Sequence, residues 1–312
     1  MGNFFKIRDL KVYNSKVLQD IRLSLLADVH LSHLVSSRKL DSVTEQTLTF
    51  NPHYICIAGD LLDYLNILEE KKYMDILKGW LSDISSVPVL ICLGSHDMAK
   101  KVSKTIDERG WIYSDYPSFF KELESSVPNV YVLDDRNFKD DRIFISGYTQ
   151  KEEYISATED ASAISLLEED LSSQDFLLRQ KLDVPALSLI HDPIYLTESE
   201  ITRLLENYDF IFSGHMHNGC VPPILDEIWR SNLGLIRPNK KLIAPNARGV
   251  IPIRVNDKTI YLVVNSGIVK IQETAPRILW PFDSLFPSSI DNITITNDSS
   301  FESPKIKSYY KF

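Results

Sequence analysis

Five stretches of the chain share one layout, a short apolar run that breaks off into histidine, aspartate or both. They are "IRLSLLADVH" (21–30), "HYICIAGDLLD" (53–63), "VPVLICLGSHD" (87–97), "ALSLIHDP" (186–193) and "FIFSGHMH" (210–217). Runs of this length and composition read as buried strands. Groups that are costly to bury unpaired then stand at the strand ends. Further runs, "NVYVLDD", "RIFISGYT" and "TIYLVVNSG", alternate with segments of helical period, and the alternation predicts an α/β protein. Helices are expected in "ILEEKKYMDILKGWLSDI", with Ile67, Met74, Ile76, Leu77 and Leu81 near one face, and in "SAISLLEEDLSSQDFLLRQKL" and "ESEITRLLENY". The carboxyl ends of strands in an open α/β sheet line one crevice. Asp28, His30, Asp60, His96, His191, His215 and His217 are therefore expected to converge although far apart in sequence. His33 and His53 lie off these strand ends and read as structural.

Such a cluster suits a divalent cation, because neutral imidazole favours Zn, Fe or Mn and carboxylate oxygen favours Mn or Mg. Residues i and i+2 of a strand point alike, which would put both ligands of "DVH", and both histidines of "GHMH", on one side. Gly59, Gly94 and Gly214 stand in or just before the motifs, where a missing Cβ permits close approach of the backbone.

Composition narrows the function classes. A chain of 312 residues with 44% hydrophobic content can bury a sizeable core. Its 34 basic and 43 acidic residues, net charge −9, argue against an extended nucleic-acid footprint. Cys56, Cys92 and Cys220 are odd in number and two lie in apolar runs, so buried reduced thiols and a cytoplasmic location are expected. No apolar run reaches bilayer-spanning length, and Lys6 breaks the myristoylation pattern.

In order, D-x-H, G-D-x-x-D, G-x-H-D, a lone H and G-H-x-H resemble the motif set of the calcineurin-like metallophosphoesterase superfamily. They stand here as "DVH" (28–30), "GDLLD" (59–63), "GSHD" (94–97), His191 and "GHMH" (214–217). The resemblance implies a four-layer αββα sandwich with two mixed β-sheets over residues 1–272. Residues at about 98–126 and 273–312 depart from the helix–strand alternation and read as an insertion and a C-terminal extension. It implies two divalent metal ions, with Mn, Fe or Zn favoured over Mg or Ni. Asp28, His30 and His217 would hold one, His191 and His215 the other, and Asp60 would bridge them. Hydrolysis of a phosphate ester would follow from attack by a metal-bridging hydroxide. His96 would protonate the leaving group or stabilise charge on the phosphate, oriented by the Asp63 carboxylate, which is also placed to cap a following helix.

Two departures from the family pattern carry expectations. Ser95 stands where the family usually has asparagine, and its shorter hydroxyl is expected to serve the His191/His215 metal more weakly. Tyr64 stands where the phosphoprotein phosphatases have arginine, which disfavours a phosphoprotein substrate. A small phosphate ester is expected instead, whether nucleotide, cyclic nucleotide or lipid-linked phosphate, as monoester or diester. The other readings are a non-catalytic or single-metal scaffold, and a DNA nuclease with a basic groove from "RPNKK" (237–241), Arg248 and Arg254. Trp111, Tyr113, Tyr116, Phe119 and Phe120 read as a lid over the site or as packed core. "ILWPFDSLF" (278–286) reads as a segment docked on its own domain or a membrane contact, and the oligomeric state stays open.

Overall fold

The computed structural model describes residues 4–101, 111–113, 118–155, 157, 159–174, 178–221, 225, 232–236, 242–273 and 277–311. The first half of the chain runs β1 (Phe5–Tyr13), β2 (Ile21–Leu26), α1 (Ser37–Thr49), β3 (Tyr54–Ala58), α2 (Lys71–Ile84), β4 (Val89–Cys92), α3 (Ser95–Met98), β5 (Ala99–Lys101), β6 (Trp111–Tyr113), α4 (Ser118–Ser126) and β7 (Val130–Val132). Then follow β8 (Arg136–Lys139), β9 (Phe144–Tyr148), α5 (Glu152–Ile155), α6 (Asp160–Ser173), β10 (Ala186–Ile190), α7 (Ser199–Leu204), β11 (Phe210–Ser213), β12 (Gly234–Ile236), β13 (Leu242–Ala244), β14 (Gly249–Val255), β15 (Lys258–Val264), β16 (Ser288–Thr296) and β17 (Lys305–Lys311).

The strands build a seven-stranded sheet in the order β17-β1-β16-β2-β3-β4-β7 and a six-stranded sheet in the order β14-β15-β11-β10-β9-β8. Both are mixed: β2, β3, β4 and β7 run parallel, as do β9, β10, β11 and β15, while β17 and β16 in one sheet, and β14 and β8 in the other, pair antiparallel with a neighbour. Alternation along each inner strand assigns its two faces. Cys56 of β3, Leu90 of β4, Leu189 of β10 and Phe212 of β11 meet in one core between the sheets. Ile57 and Ile91 face the other way and pack with α1, α2 and α4, while Ile190 and Ile211 pack with α6 and α7. Strands covered on both faces are apolar throughout rather than alternating, and the result is the αββα sandwich with two mixed sheets.

Two stretches that depart from the helix–strand alternation join these layers. Residues 288–296 form β16, an inner strand between β1 and β2, and 305–311 form the edge strand β17, so the stretch read as a C-terminal extension completes the first sheet. Within 98–126, Phe119 and Phe120 of α4 are buried at 8% and 0% exposure in the cluster between the first sheet and its helices, so they pack rather than form a lid. The side chains of Trp111 and Tyr113, and all of Tyr116, lie outside the described residues.

The stretch read as one helix from Ile67 divides at Glu70 into a 3-10 turn, Leu65–Glu69, and α2. Cys56 and Cys92 are buried free thiols, and burial pushes both upward in pKa. The segment Arg277–Leu285 is a 3-10 turn that leaves Ile278 and Leu285 78% and 60% exposed while Trp280, and Phe286 after it, are half-buried, so the stretch is docked only in part. No described helix is long and apolar enough to cross a membrane.

Candidate metal centre

The carboxyl ends of β2, β3, β4, β10 and β11 carry the motif residues to one edge of the sandwich. Asp28 and His30 follow β2, Asp60 and Asp63 follow β3, Ser95 and His96 open α3 after β4, His191 follows β10, and His215 and His217 follow β11. The strand alternation invoked for "DVH" and "GHMH" does not place these side chains, because β2 ends at Leu26 and β11 at Ser213. Left-handed backbone does so instead: φ is 51° at Asp28, 43° at His30, 53° at Asp60, 69° at His215 and 44° at His217. Residues with a Cβ adopt this region at a cost and persist there when their surroundings over-determine them.

Main-chain bonds supply that constraint. Asp28 N–H donates to the Gly59 carbonyl at 3.0 Å, His30 N–H to the Asp60 carbonyl at 3.0 Å, and His215 N–H to the Asp28 carboxylate at 3.0 and 3.1 Å. At Gly94 a Cβ would come within 2.2 Å of Asp60 Oδ1, and at Gly59, where φ is 80°, within 2.5 Å of His191 Nδ1. The glycines therefore let the loops close on the site.

Among the described residues three groups of ligand atoms result, the atoms of each within 4.8 Å of one another: Asp28, His30 and His217; Asp60, His191 and His215; and, sharing His30 with the first, His30, Asp63 and His96. Asp60 stands between the first two, its Oδ2 lying 3.0 Å from His191 Nε2 and 3.7 Å from His30 Nε2. Asp28 Oδ1 lies 3.7 Å from His217 Nε2 and 3.9 Å from His30 Nε2. Two ligands of one ion, each about 2.1 Å from it, lie roughly 3–4 Å apart, so all these spacings fit a shared cation, and the 3.7–3.9 Å ones are too long for mutual hydrogen bonds.

The tautomers agree with that use. Nδ1 of His217 donates to the Val269 carbonyl at 2.8 Å and Nδ1 of His191 to the Ala58 carbonyl at 2.7 Å, so each turns Nε2 toward its group. His215 does the reverse. Its Nδ1 lies 3.1 Å from His191 Nε2, and its Nε2 lies 3.9 Å from the buried Asp192, which accepts from Tyr154.

Charge is held tightly here. Burial raises Asp28 to about 6, against the pull of His191. Burial pushes His191 down, but the Asp60 and Asp28 carboxylates outweigh it and carry the imidazole up to about 10. Burial lowers His215 to about 4 and holds His217 well below the usual range.

His96 lies beside the first group, its ring edge-on to His30 with centroids 4.8 Å apart. Its Nδ1 donates to the main-chain carbonyl of Asp63 at 2.7 Å, and the Asp63 carboxylate is 3.9 Å away. That carboxylate lies closer to His30, 3.3 Å from Nδ1. Both Asp63 oxygens and His30 Nδ1 are otherwise buried without a hydrogen-bond partner. The contact orienting His96 thus runs through the Asp63 backbone rather than its side chain. Ser95 is half-buried at the start of α3 beside His96, whose N–H donates to Asp60 Oδ1 at 2.9 Å, so it sits on the helix start that wraps the central carboxylate.

Three residues join the site without having been singled out in the sequence. Asp97, in the "GSHD" motif, accepts from Leu62 N–H and Gly94 N–H at 2.9 Å each and ties two site loops together; burial beside Asp60 raises it to about 7. Asp192 faces His215 at 3.9 Å. Gln272 reaches both His30 and His217, and no motif or period marked it. By contrast, His33 pairs with Glu70 and Glu273 at the rim, and His53 accepts from Arg22 N–H, both apart from the ligand groups. Tyr64 points its hydroxyl at Glu273, 3.4 Å away. Of the basic groove, Arg248 is buried beside Asn218, Arg254 is exposed, and 237–241 lie outside the described residues.

Residues 21–219 match the sequence profile of the calcineurin-like phosphoesterases, and the chain belongs to that family. It is 24% identical over 220 residues to an uncharacterized metallophosphoesterase, Cj0846, of Campylobacter jejuni, a match covering 70% of this chain and 49% of the relative. The chain thus spans about half the length of that curated relative. Among solved structures it is similar to the phosphopantetheinyl hydrolase PptH of Mycobacterium tuberculosis, at 12% identity and a TM-score of 0.40, covering 80% of this chain and 90% of that one. It is also similar to a dimetal phosphatase from Danio rerio, at 11% identity and a TM-score of 0.40, covering 79% and 87%.

Proposed function

We propose that this chain is a metal-dependent hydrolase of small phosphate esters, using two divalent cations held by Asp28, His30 and His217 on one side and His191 and His215 on the other, with Asp60 between. The observation that carries this reading is the pair of ligand groups meeting at Asp60. The donor set fits the cations: carboxylate oxygen and imidazole nitrogen in buried groups suit Mn, Fe or Zn. When bound, two such ions lower the pKa of a water and neutralise phosphoryl oxygens.

The chain's own residues supply the rest. Asp63 fixes His30 through Nδ1, so that ligand is oriented by a carboxylate behind it, while Asp192 faces His215 at 3.9 Å as a nearby charge. His96, held through Nδ1 by the Asp63 carbonyl, presents Nε2 as the nitrogen that hands a proton to the departing oxygen. Its side chain is 19% exposed, which gives it access to a substrate. Ser95 lies next to the second ion's ligands and contributes a weak oxygen donor there. Residues 1–272 with the strand 288–296 make one catalytic unit on this reading, because β16 separates β1 from β2.

The test is elemental analysis of purified protein together with hydrolysis of bis-p-nitrophenyl phosphate and p-nitrophenyl phosphate, with and without added manganese. About two ions per chain and manganese-dependent turnover are expected. No bound metal and no turnover of either ester in excess manganese would leave the chain as a scaffold.

A further inference from the structure

The segment that follows β15 is fastened along its length to the metal centre. Ile268 N–H and Val269 N–H donate to the carbonyls of Ala27 and Asp28 at 3.0 Å each, and the Val269 carbonyl fixes His217. Lys270 N–H and Ile271 N–H both donate to Asp283 Oδ1, at 2.7 and 3.0 Å. On the far side, Glu273 accepts from His33 N–H at 3.0 Å. Gln272 lies between these fastenings. Its side-chain amide ends 3.1 Å from His30 Nε2 and 3.0 Å from His217 Nε2, the two nitrogens turned toward Asp28.

The chemistry of that contact is specific. His217 Nδ1 carries its proton to the Val269 carbonyl, so the Nε2 that meets Gln272 is a lone pair. An amide offers two donors at one end and a carbonyl oxygen at the other, and a half-turn about its last side-chain bond exchanges them without moving the backbone. The amide end is thus within reach of the place where Asp28, His30 and His217 converge, and a neutral carbonyl oxygen suits a hard or borderline cation.

We propose that Gln272 is a further protein ligand, through its side-chain carbonyl, of the cation held by Asp28, His30 and His217. The inference rests on the phosphoesterase reading and adds a donor from outside the five sequence motifs. It also links metal occupancy to the position of the 267–273 segment and, through Asp283, to the exposed turn Arg277–Leu285.

Chelator-treated protein titrated with Mn²⁺ by calorimetry, and with Co²⁺ by visible absorption, tests it without relying on turnover. Gln272→Ala is expected to weaken one of two binding events about tenfold, the lower end of what loss of a supporting contact costs a metal site, and to alter the cobalt spectrum. Gln272→Glu, with an oxygen at the same reach and added charge, is expected to restore or tighten binding. An alanine variant that binds both ions as tightly as wild type, or more tightly, with an unchanged cobalt spectrum overturns the assignment. Wild-type protein that binds neither ion overturns the phosphoesterase reading as well, so the two failures are distinct.

Discussion

The carboxylate of Asp63 lies 3.3 Å from Nδ1 of His30, while the main-chain carbonyl of the same residue takes a 2.7 Å hydrogen bond from Nδ1 of His96. One residue therefore positions two histidines by different atoms, and side-chain substitution separates the two roles. Asp63→Ala removes the support of His30 and leaves the carbonyl in place. Metal affinity is expected to fall about 10- to 100-fold, with turnover at saturating manganese kept within a few-fold. Calorimetric metal titration paired with steady-state kinetics checks it. Lost turnover with intact affinity would return the carboxylate to His96.

His96→Asn is expected to lower turnover of an unactivated alkyl phosphate by about 10²- to 10⁴-fold, the usual contribution of a positioned general acid, with metal content unchanged. The deficit should shrink on p-nitrophenyl esters, whose leaving group departs without a proton. Equal losses on both esters would point to phosphate binding rather than proton transfer.

Protonation and metal compete for His191. With its pKa carried up to about 10 against a usual 6.5, the imidazole contributes stability to metal-free protein that is fully present below 6.5 and lost as pH rises through about 10. Its partner Asp60, held well below 3.8 despite burial, chiefly by His191, contributes stability present above 3.8 and lost as pH falls. A cation must displace the His191 proton, so metal affinity is expected to rise with pH between about 6 and 9. Calorimetry at neutral pH in buffers of different ionisation enthalpy should record proton release; none would mean that His191 is already neutral.

Ser95→Asn places an amide carbonyl beside the second ligand group, at the helix start whose next N–H holds Asp60. Tighter binding of the weaker of two manganese ions is the expected result in calorimetry. Unchanged affinity would show that the hydroxyl, or a water it holds, serves as well.

How much of this was legible in the sequence depended on distance along the chain. The strand runs and the histidines at their ends are local patterns, so β2, β3, β4, β10 and β11, and the crevice expected at their carboxyl ends, could be read directly. What could not be read was backbone conformation: Asp28 and His217 reach the site through left-handed φ values that the residue types did not announce. Gln272 and Asp192 act through contacts closed only by tertiary packing; Asp192 follows His191 in one of the strand-end runs without a role assigned to it, and Gln272 sits in no distinguishing pattern. β1 is different. Its buried Phe5, Ile7, Leu10 and Val12 are near-alternating and were visible, but the charges among them obscured the strand.

The inner strand β16 gives the last prediction. Asp291 of β16 is 1% exposed and receives Arg8 Nη2 of β1 at 2.6 Å and Asn265 Nδ2 at 3.0 Å, while Arg8 also reaches the carbonyl of Val264 at the end of β15. This buried pair joins β1, β16 and the second sheet. Removing one partner strands a buried charge, at a cost of about 3–5 kcal/mol, so Arg8→Met is expected to lower stability by that amount in urea unfolding. Arg8 Nε and Asp291 Oδ1 have no hydrogen-bond partner, so the pair is incompletely compensated for its desolvation. The double variant Arg8→Met with Asp291→Leu should therefore recover most of the loss. If the double variant is instead the sum of two large losses, the pair contributes net stability, and the ionic contact itself holds β16 in the sheet.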